Sequence, residues 1–261
     1  MLVLYIFYKN VMYITCMYIF GFWSLFSGQV LYEAIMYQNY NITLTSLPIM
    51  FYCLFDFEYL KTAPNGDKDK KDLYLLEHPR LFKQSMDGEY FTLFKFLQYL
   101  LYSLFHAAVI YMLCYQFVAE PNMMADGKGL GIWIPGHIVF GSCIIVCNLV
   151  LLMRFNNFTG WGESLVYLMI LNYFTLMFLE SLLGALVIPD LYYIFDTMFT
   201  YNLVWVQLIT SASFAVMLEF AASHFLKLRD NREVEYRAEA KQAREELDND
   251  QVEKNQLQRK I

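Results

Sequence analysis

Long apolar stretches alternate with short polar ones along most of the chain, and this pattern predicts helices that cross a membrane. An α-helix needs about 20 mainly apolar residues to cross the hydrocarbon core. The second stretch is the weakest, because polar residues and a proline interrupt it: Asn41, Thr43, Thr45, Ser46 and Pro48. The six predicted spans are Leu2–Trp23, Asn39–Phe57, Phe91–Val118, Trp133–Met153, Ser164–Val187 and Met198–Leu226.

Composition supports this interpretation. Hydrophobic residues make up 58% of the 261 residues and aromatic residues 18%, more than one soluble core would bury. The sequence therefore predicts an all-α fold, a polytopic membrane helical bundle with six transmembrane helices at residues 1–226. Residues 227–261 differ: they carry nine Lys or Arg, nine Asp or Glu and no Gly or Pro, which predicts a charged cytosolic C-terminal helix or tail.

The distribution of cations predicts the orientation of the spans. The loop between the second and third spans carries six Lys or Arg, whereas the next loop has only Lys128. By the positive-inside rule, the lysine-rich loop and both termini face the cytosol. We expect a multi-pass integral protein of the plasma membrane or an endomembrane, with no nucleic-acid partner.

Lys9 and Asn10 lie side by side inside the first apolar stretch. A charge at membrane depth costs about 2.5–3.5 kcal/mol on insertion scales, so it usually faces a cavity, a partner or a substrate. The alternative is that Lys9 extends its ammonium group back to the headgroups near the chain start. The two interpretations predict different surroundings for the Lys9 side chain.

Other polar residues in the spans have structural alternatives. Pro48 removes one backbone N–H and frees carbonyls near Asn41, Thr45 and Ser46, which indicates either an ordinary kink or a substrate contact. His106 in the third span could contact a headgroup, but we expect it to be buried and hydrogen-bonded between helices. Glu180 and Glu219 lie near span ends, where interfacial anchoring would explain them.

The five cysteines do not indicate a metal centre. They are an odd number and all lie in or at apolar spans, which predicts reduced packing residues. Cys143 and Cys147 share a helix face, but no His or acidic residue accompanies them nearby. We therefore expect no metal site and no catalytic residue in this chain.

Several short motifs together resemble type IV P-type ATPases, the phospholipid flippases, in their C-terminal membrane half. Their order matches the fifth and sixth helices of that family and continues through the eighth. The resemblance covers about residues 2–226. The motifs are LYIFYKN (Leu4–Asn10), FSGQ (Phe26–Gln29), YNITLTSLP (Tyr40–Pro48), LFDFE (Leu54–Glu58), HPRLF (His78–Phe82), SLFH (Ser103–His106) and VCNL (Val146–Leu149).

The resemblance implies a role in moving phospholipid. Lys9 and Asn10 match family positions where the fifth helix presents polar groups to the lipid headgroup, and Asn41 is a weaker candidate contact. The implied lipid path comprises Lys9, Asn10, Asn41, Thr45, Ser46 and Pro48.

The resemblance also implies parts that this sequence does not contain. A complete flippase has four further helices, an actuator domain and a DKTGT phosphorylation segment upstream of the FYKN motif. We expect the chain to be truncated, to need its missing N-terminal half for ATP- and Mg²⁺-dependent transport, and to form no phosphoenzyme alone. The accessory two-span flippase β-subunit is a further possible partner. Two alternatives stay open: a short flippase-derived scaffold or subunit without transport, and an unrelated channel or carrier.

Overall fold

The computed structural model describes residues 2–56, 86, 88, 91–116, 130–155, 160–184, 189–192 and 194–229. The described residues form helices and turns and contain no strand, which confirms the all-α fold. The lysine-rich loop and the charged tail beyond residue 229 lie outside the described residues.

Eight α-helices account for most of the described chain. They are α1 (Leu2–Trp23), α2 (Ala34–Asn39), α3 (Ser46–Phe55), α4 (Leu93–Tyr111), α5 (Trp133–Met153), α6 (Gly160–Gly184), α7 (Ile194–Thr200) and α8 (Asn202–Arg229). A π-helical segment, Tyr40–Leu44, separates α2 from α3, and another, Met112–Gln116, follows α4. A short 3₁₀ turn, Pro189–Leu191, precedes α7.

Five of the described helices are long and apolar enough to cross a membrane: α1, α4 with its π turn, α5, α6 and α8. The first and fourth predicted spans, Leu2–Trp23 and Trp133–Met153, agree with α1 and α5 at both ends. The predicted count of six is not confirmed. The second predicted span, Asn39–Phe57, is divided between the end of α2, a π segment and the 10 residues of α3. At about 1.5 Å per residue, α3 alone is too short to cross a membrane.

Helix α5 forms the centre of the bundle. In an apolar 18-residue segment of α5, 78% of the residues are buried. The corresponding segments of the other four long helices are 33–39% buried. Two glycines allow close approach: a Cβ on Gly136 would overlap the Leu31 carbonyl oxygen, and one on Gly141 would lie 2.7 Å from the Tyr173 ring. Helix α1 packs mainly against α4 and also contacts α5.

The break in the second span follows from its sequence. Pro48 lacks the N–H that would continue the helical ladder, and hydroxyl groups bond to carbonyls of the preceding turns. Thr45 Oγ1 donates to the Tyr40 carbonyl at 2.8 Å, and Ser46 Oγ donates to the Ile42 carbonyl. Such local bonds compete with regular helix, so the chain passes through a π segment and a non-helical Thr45 at φ −130°.

Residues Met1–Asp56 and Leu93–Phe220 belong to one compact unit. The site and every contact described below lie within it.

Candidate functional site

The Lys9 side chain crosses from α1 to the break in the second span. Lys9 is only 3% exposed. The Nζ atom donates to Asn41 Oδ1 at 2.5 Å and to Thr45 Oγ1 at 2.8 Å, and it lies 5.1 Å from the centre of the Tyr40 ring. The ammonium group therefore lies against the break and does not extend to the surface of the bundle.

Tyr40, in the π segment, makes further contacts with α1 and α5. Its hydroxyl donates to the Lys9 backbone carbonyl at 3.0 Å and lies 3.2 Å from Cys147 Sγ on α5. Its ring stacks on Tyr13 of α1, with centroids 4.1 Å apart. Tyr40 thus fixes the π segment to both α1 and α5, a role that the sequence did not indicate because tyrosines are abundant throughout the spans.

The groups around the ammonium are electrically neutral. Asn41 supplies an amide oxygen, Thr45 a hydroxyl and Tyr40 a ring face. Within the described part of the chain, no carboxylate forms an ion pair with Lys9. An isolated buried charge is costly unless an opposite charge compensates it, and the described residues around Lys9 supply no such charge.

The other predicted site residues occupy different positions around the break. Asn10 is half-buried, and its Oδ1 atom is enclosed without a hydrogen-bond partner among the described residues. Asn41 is exposed and Ser46 is half-buried, whereas Thr45 and Pro48 are buried. The structure therefore brings Lys9, Asn41 and Thr45 into direct contact, and it does not bond Asn10 to them.

Helix α1 is fixed next to the site by two further tyrosines. Tyr8 OH lies 2.7 Å from His106 Nδ1 on α4, and Tyr5 OH donates to the Cys147 carbonyl on α5 at 2.8 Å. The buried, interhelical His106 expected from the sequence is thereby confirmed.

All five cysteines are free, and four of them are buried as the predicted packing residues, whereas Cys53 is exposed. Cys16 Sγ lies 3.8 Å from Cys143 Sγ, and Cys114 Sγ lies 3.3 Å from Ser142 Oγ. Among the residues that the structure describes, no group of three or more His, Cys, Asp or Glu could hold a metal ion.

A second polar cluster joins three helices. Arg154, just after α5, forms an ion pair with Glu219 of α8, and it donates to Tyr99 OH on α4 with its guanidinium 4.8 Å from that ring. Glu219 is 5% exposed and Glu180 is 7% exposed. The expectation that both glutamates are interfacial anchors is therefore wrong, because each carboxyl lies among helices.

These observations define the class of protein. Five long apolar helices with large apolar side chains on their outer faces, such as Phe94 and Ile209, are typical of a multi-pass integral membrane protein. A family model described as "Phospholipid-translocating P-type ATPase C-terminal" matches residues 1–229. The chain belongs to that family, which confirms the resemblance found in its motifs.

Individual relatives support the same assignment. Human Phospholipid-transporting ATPase IG is 30% identical over 219 residues, which are 80% of this chain and 18% of that protein. Human Phospholipid-transporting ATPase IH is 27% identical over 222 residues, 83% of this chain and 18% of that protein. Phospholipid-transporting ATPase DNF1 of Saccharomyces cerevisiae is 28% identical over 160 residues, 59% of this chain and 9% of that protein. The chain thus spans less than a fifth of the length of each of these relatives.

Proposed function

We propose that this chain forms part of the path along which a flippase moves a phospholipid headgroup, and that Lys9 is the main headgroup contact. The observation that carries the proposal is a buried ammonium group whose hydrogen-bond acceptors are neutral. An anionic phosphate or carboxylate would supply the missing charge. Such charge-assisted hydrogen bonds are roughly twice as strong as neutral ones.

The geometry leaves Lys9 with a hydrogen-bond donor for an anionic headgroup. An ammonium group has three N–H donors, and the described hydrogen bonds to Asn41 and Thr45 use two of them. Asn41 is exposed, so a headgroup can replace it without entering the core. Thr45 keeps its own donor bond to Tyr40 in either case.

The remaining path residues have supporting roles. Asn10, next to Lys9 in sequence, offers an amide oxygen that has no hydrogen-bond partner among the described residues. Pro48 and Ser46 maintain the break: Pro48 removes a backbone N–H, and Ser46 bonds the Ile42 carbonyl. The exposed side of the break is where headgroup and backbone would meet.

The proposal includes a larger assembly and an orientation. The named relatives are phospholipid-transporting ATPases, and ATP-driven transport by this chain would need the actuator, phosphorylation and nucleotide-binding parts of such a protein, with ATP and Mg²⁺. The accessory β-subunit is a proposed partner. Both ends of the chain are assigned to the cytosolic side, in the plasma membrane or an endomembrane.

Lipid binding to the purified chain tests the role of Lys9. The chain in detergent micelles is titrated in turn with phosphatidylserine, phosphatidylethanolamine and phosphatidylcholine, and bound lipid is counted by native mass spectrometry. We expect Lys9→Met to weaken binding of at least one lipid about tenfold, the loss expected for one charge-assisted contact. Cys16→Ala, two turns along the same helix, is the control and should bind normally. Equal affinities in both variants would instead favour a scaffold without a headgroup site.

A further inference from the structure

One carbonyl in the break cannot have its regular helical partner. In an α-helix the carbonyl of residue 44 accepts a hydrogen bond from the amide of residue 48. Residue 48 is proline, which has no N–H. The whole of Leu44 is buried, with 0% of its surface exposed, so its carbonyl lies away from water and needs another donor.

Asn148 of α5 supplies that donor from a different helix. Its Nδ2 atom donates to the Leu44 carbonyl at 3.3 Å and to the Ile144 carbonyl of its own helix at 3.0 Å. Both N–H bonds of the amide are thus used. Asn148 is 1% exposed, and its Oδ1 atom has no hydrogen-bond partner among the described residues.

The unpaired oxygen makes asparagine a costly residue at this position, so its amide group must contribute a compensating interaction. A buried acceptor without a partner costs about 1–3 kcal/mol, and a leucine of similar size would pack without that cost. The donor half of the amide must therefore compensate for the acceptor half. The only described acceptor that it reaches outside its own helix is the Leu44 carbonyl.

We propose that Asn148 is a positioning residue for the lipid path: it replaces the N–H that Pro48 lacks and thereby fixes the break against α5. Leu44 directly precedes Thr45, whose hydroxyl receives the Lys9 ammonium at 2.8 Å. Holding the Leu44 carbonyl in place holds that hydroxyl at the end of the Lys9 side chain. This last step rests on the proposed function, whereas the link between Asn148 and Pro48 does not.

The link predicts that Asn148 matters only while residue 48 has no N–H. Four proteins are compared by hydrogen exchange without added lipid: the natural chain, Asn148→Leu, Pro48→Ala, and the double variant. We expect Asn148→Leu to speed exchange about tenfold in peptides that cover residues 40–52. A change of about this size follows from the free-energy cost of leaving one buried carbonyl without a hydrogen bond. Pro48→Ala restores the missing N–H. In that background, Asn148→Leu should change exchange in the same peptides less than about twofold.

A matched control separates this effect from general loosening of α5. Ser142 is also buried on α5, the same helix as Asn148, but it is bonded to a different neighbour: its Oγ lies 2.8 Å from Ser211 Oγ of α8. Ser142→Ala should leave exchange in residues 40–52 unchanged, whichever residue occupies position 48.

Each outcome decides the proposal. Equal effects of Asn148→Leu with Pro48 and with Pro48→Ala would overturn it, as would no effect in either. If Asn148→Leu fails to fold alone, folding of the double variant supports the proposal, and failure of both contradicts it. Because the experiment contains no lipid, its result is independent of whether Lys9 binds a headgroup.

Discussion

At the residue scale, the position of Lys9 implies a conflict between stability and function. Its ammonium group is buried, and its two hydrogen-bond acceptors are neutral. Replacing even a buried ion pair with apolar residues of similar volume is often stabilising, and Lys9 has no described ion-pair partner to offset the cost of its burial. A residue kept at such a cost in free energy is typical of a functional site inside a membrane.

We therefore expect Lys9→Met to raise the free energy of unfolding of the lipid-free chain by about 1–3 kcal/mol. Methionine keeps the length of the side chain, and Thr45 keeps its bond to the Tyr40 carbonyl. Thermal unfolding in detergent measures the change. Cys16→Ala is the comparison and should lower stability, because Cys16 is fully buried and its truncation leaves a cavity. If Lys9→Met lowers stability as much as Cys16→Ala does, the hydrogen bonds of Lys9 to Asn41 and Thr45 stabilise the fold, which contradicts the prediction.

The sequence revealed some of the site residues and concealed others for a physical reason. Lys9, Asn41 and Thr45 were predictable because polar groups stand out within apolar stretches. Tyr40 and Asn148 were not singled out as site residues. Their importance depends on which atoms they meet on other helices, namely the Lys9 carbonyl and the Leu44 carbonyl, and spacing along one chain does not contain that information.

At the element scale, length and hydropathy predicted α1 and α5 well but missed two interruptions. One divides the second predicted span, and the other, at Tyr201 between α7 and α8, lies inside the predicted span Met198–Leu226. The bounds of α1 and α5 agree with the predicted spans. The second span was recognised as weak, but its division depends on hydroxyl bonds within the break and on Asn148 from α5. A hydropathy pattern records none of these bonds.

The ion pair between Arg154 and Glu219 links the end of α5 to α8, and its removal should loosen that end of the bundle. Glu219→Gln leaves the Arg154 guanidinium without its anionic partner, and breaking a buried pair in this way costs about 3 kcal/mol or more. We expect the double variant Arg154→Met with Glu219→Leu to cost less than Glu219→Gln alone, because no uncompensated charge stays behind.

Unfolding in detergent of Glu219→Gln, of the double variant and of the single variants Arg154→Met and Glu219→Leu measures this coupling. Ser164→Ala, which removes a local bond to the Gly160 carbonyl on α6, is a control and should change stability little. Additive effects of the Arg154 and Glu219 substitutions would mean that the pair contributes no net stability.

At the scale of the whole molecule, the cation distribution predicts which loops face the cytosol. Single cysteines at Gly66 and Ala240 should react with a membrane-impermeant reagent only after the cytosolic side is opened, whereas Ser27→Cys should react in intact cells. The experiment needs the Cys53→Ala background, because Cys53 is the exposed one of the natural cysteines. Labelling of position 66 or 240 from outside would reverse the assigned orientation.

The most direct test of the account is lipid-stimulated ATP hydrolysis by a full-length flippase that carries this segment. The central claim is that the Lys9 ammonium receives the anionic part of the headgroup, so Lys9→Met should raise the half-maximal phospholipid concentration about tenfold and lower the stimulated rate. Cys16→Ala should leave both values close to those of the natural protein. An unchanged half-maximal concentration and an unchanged rate in Lys9→Met would contradict the claim.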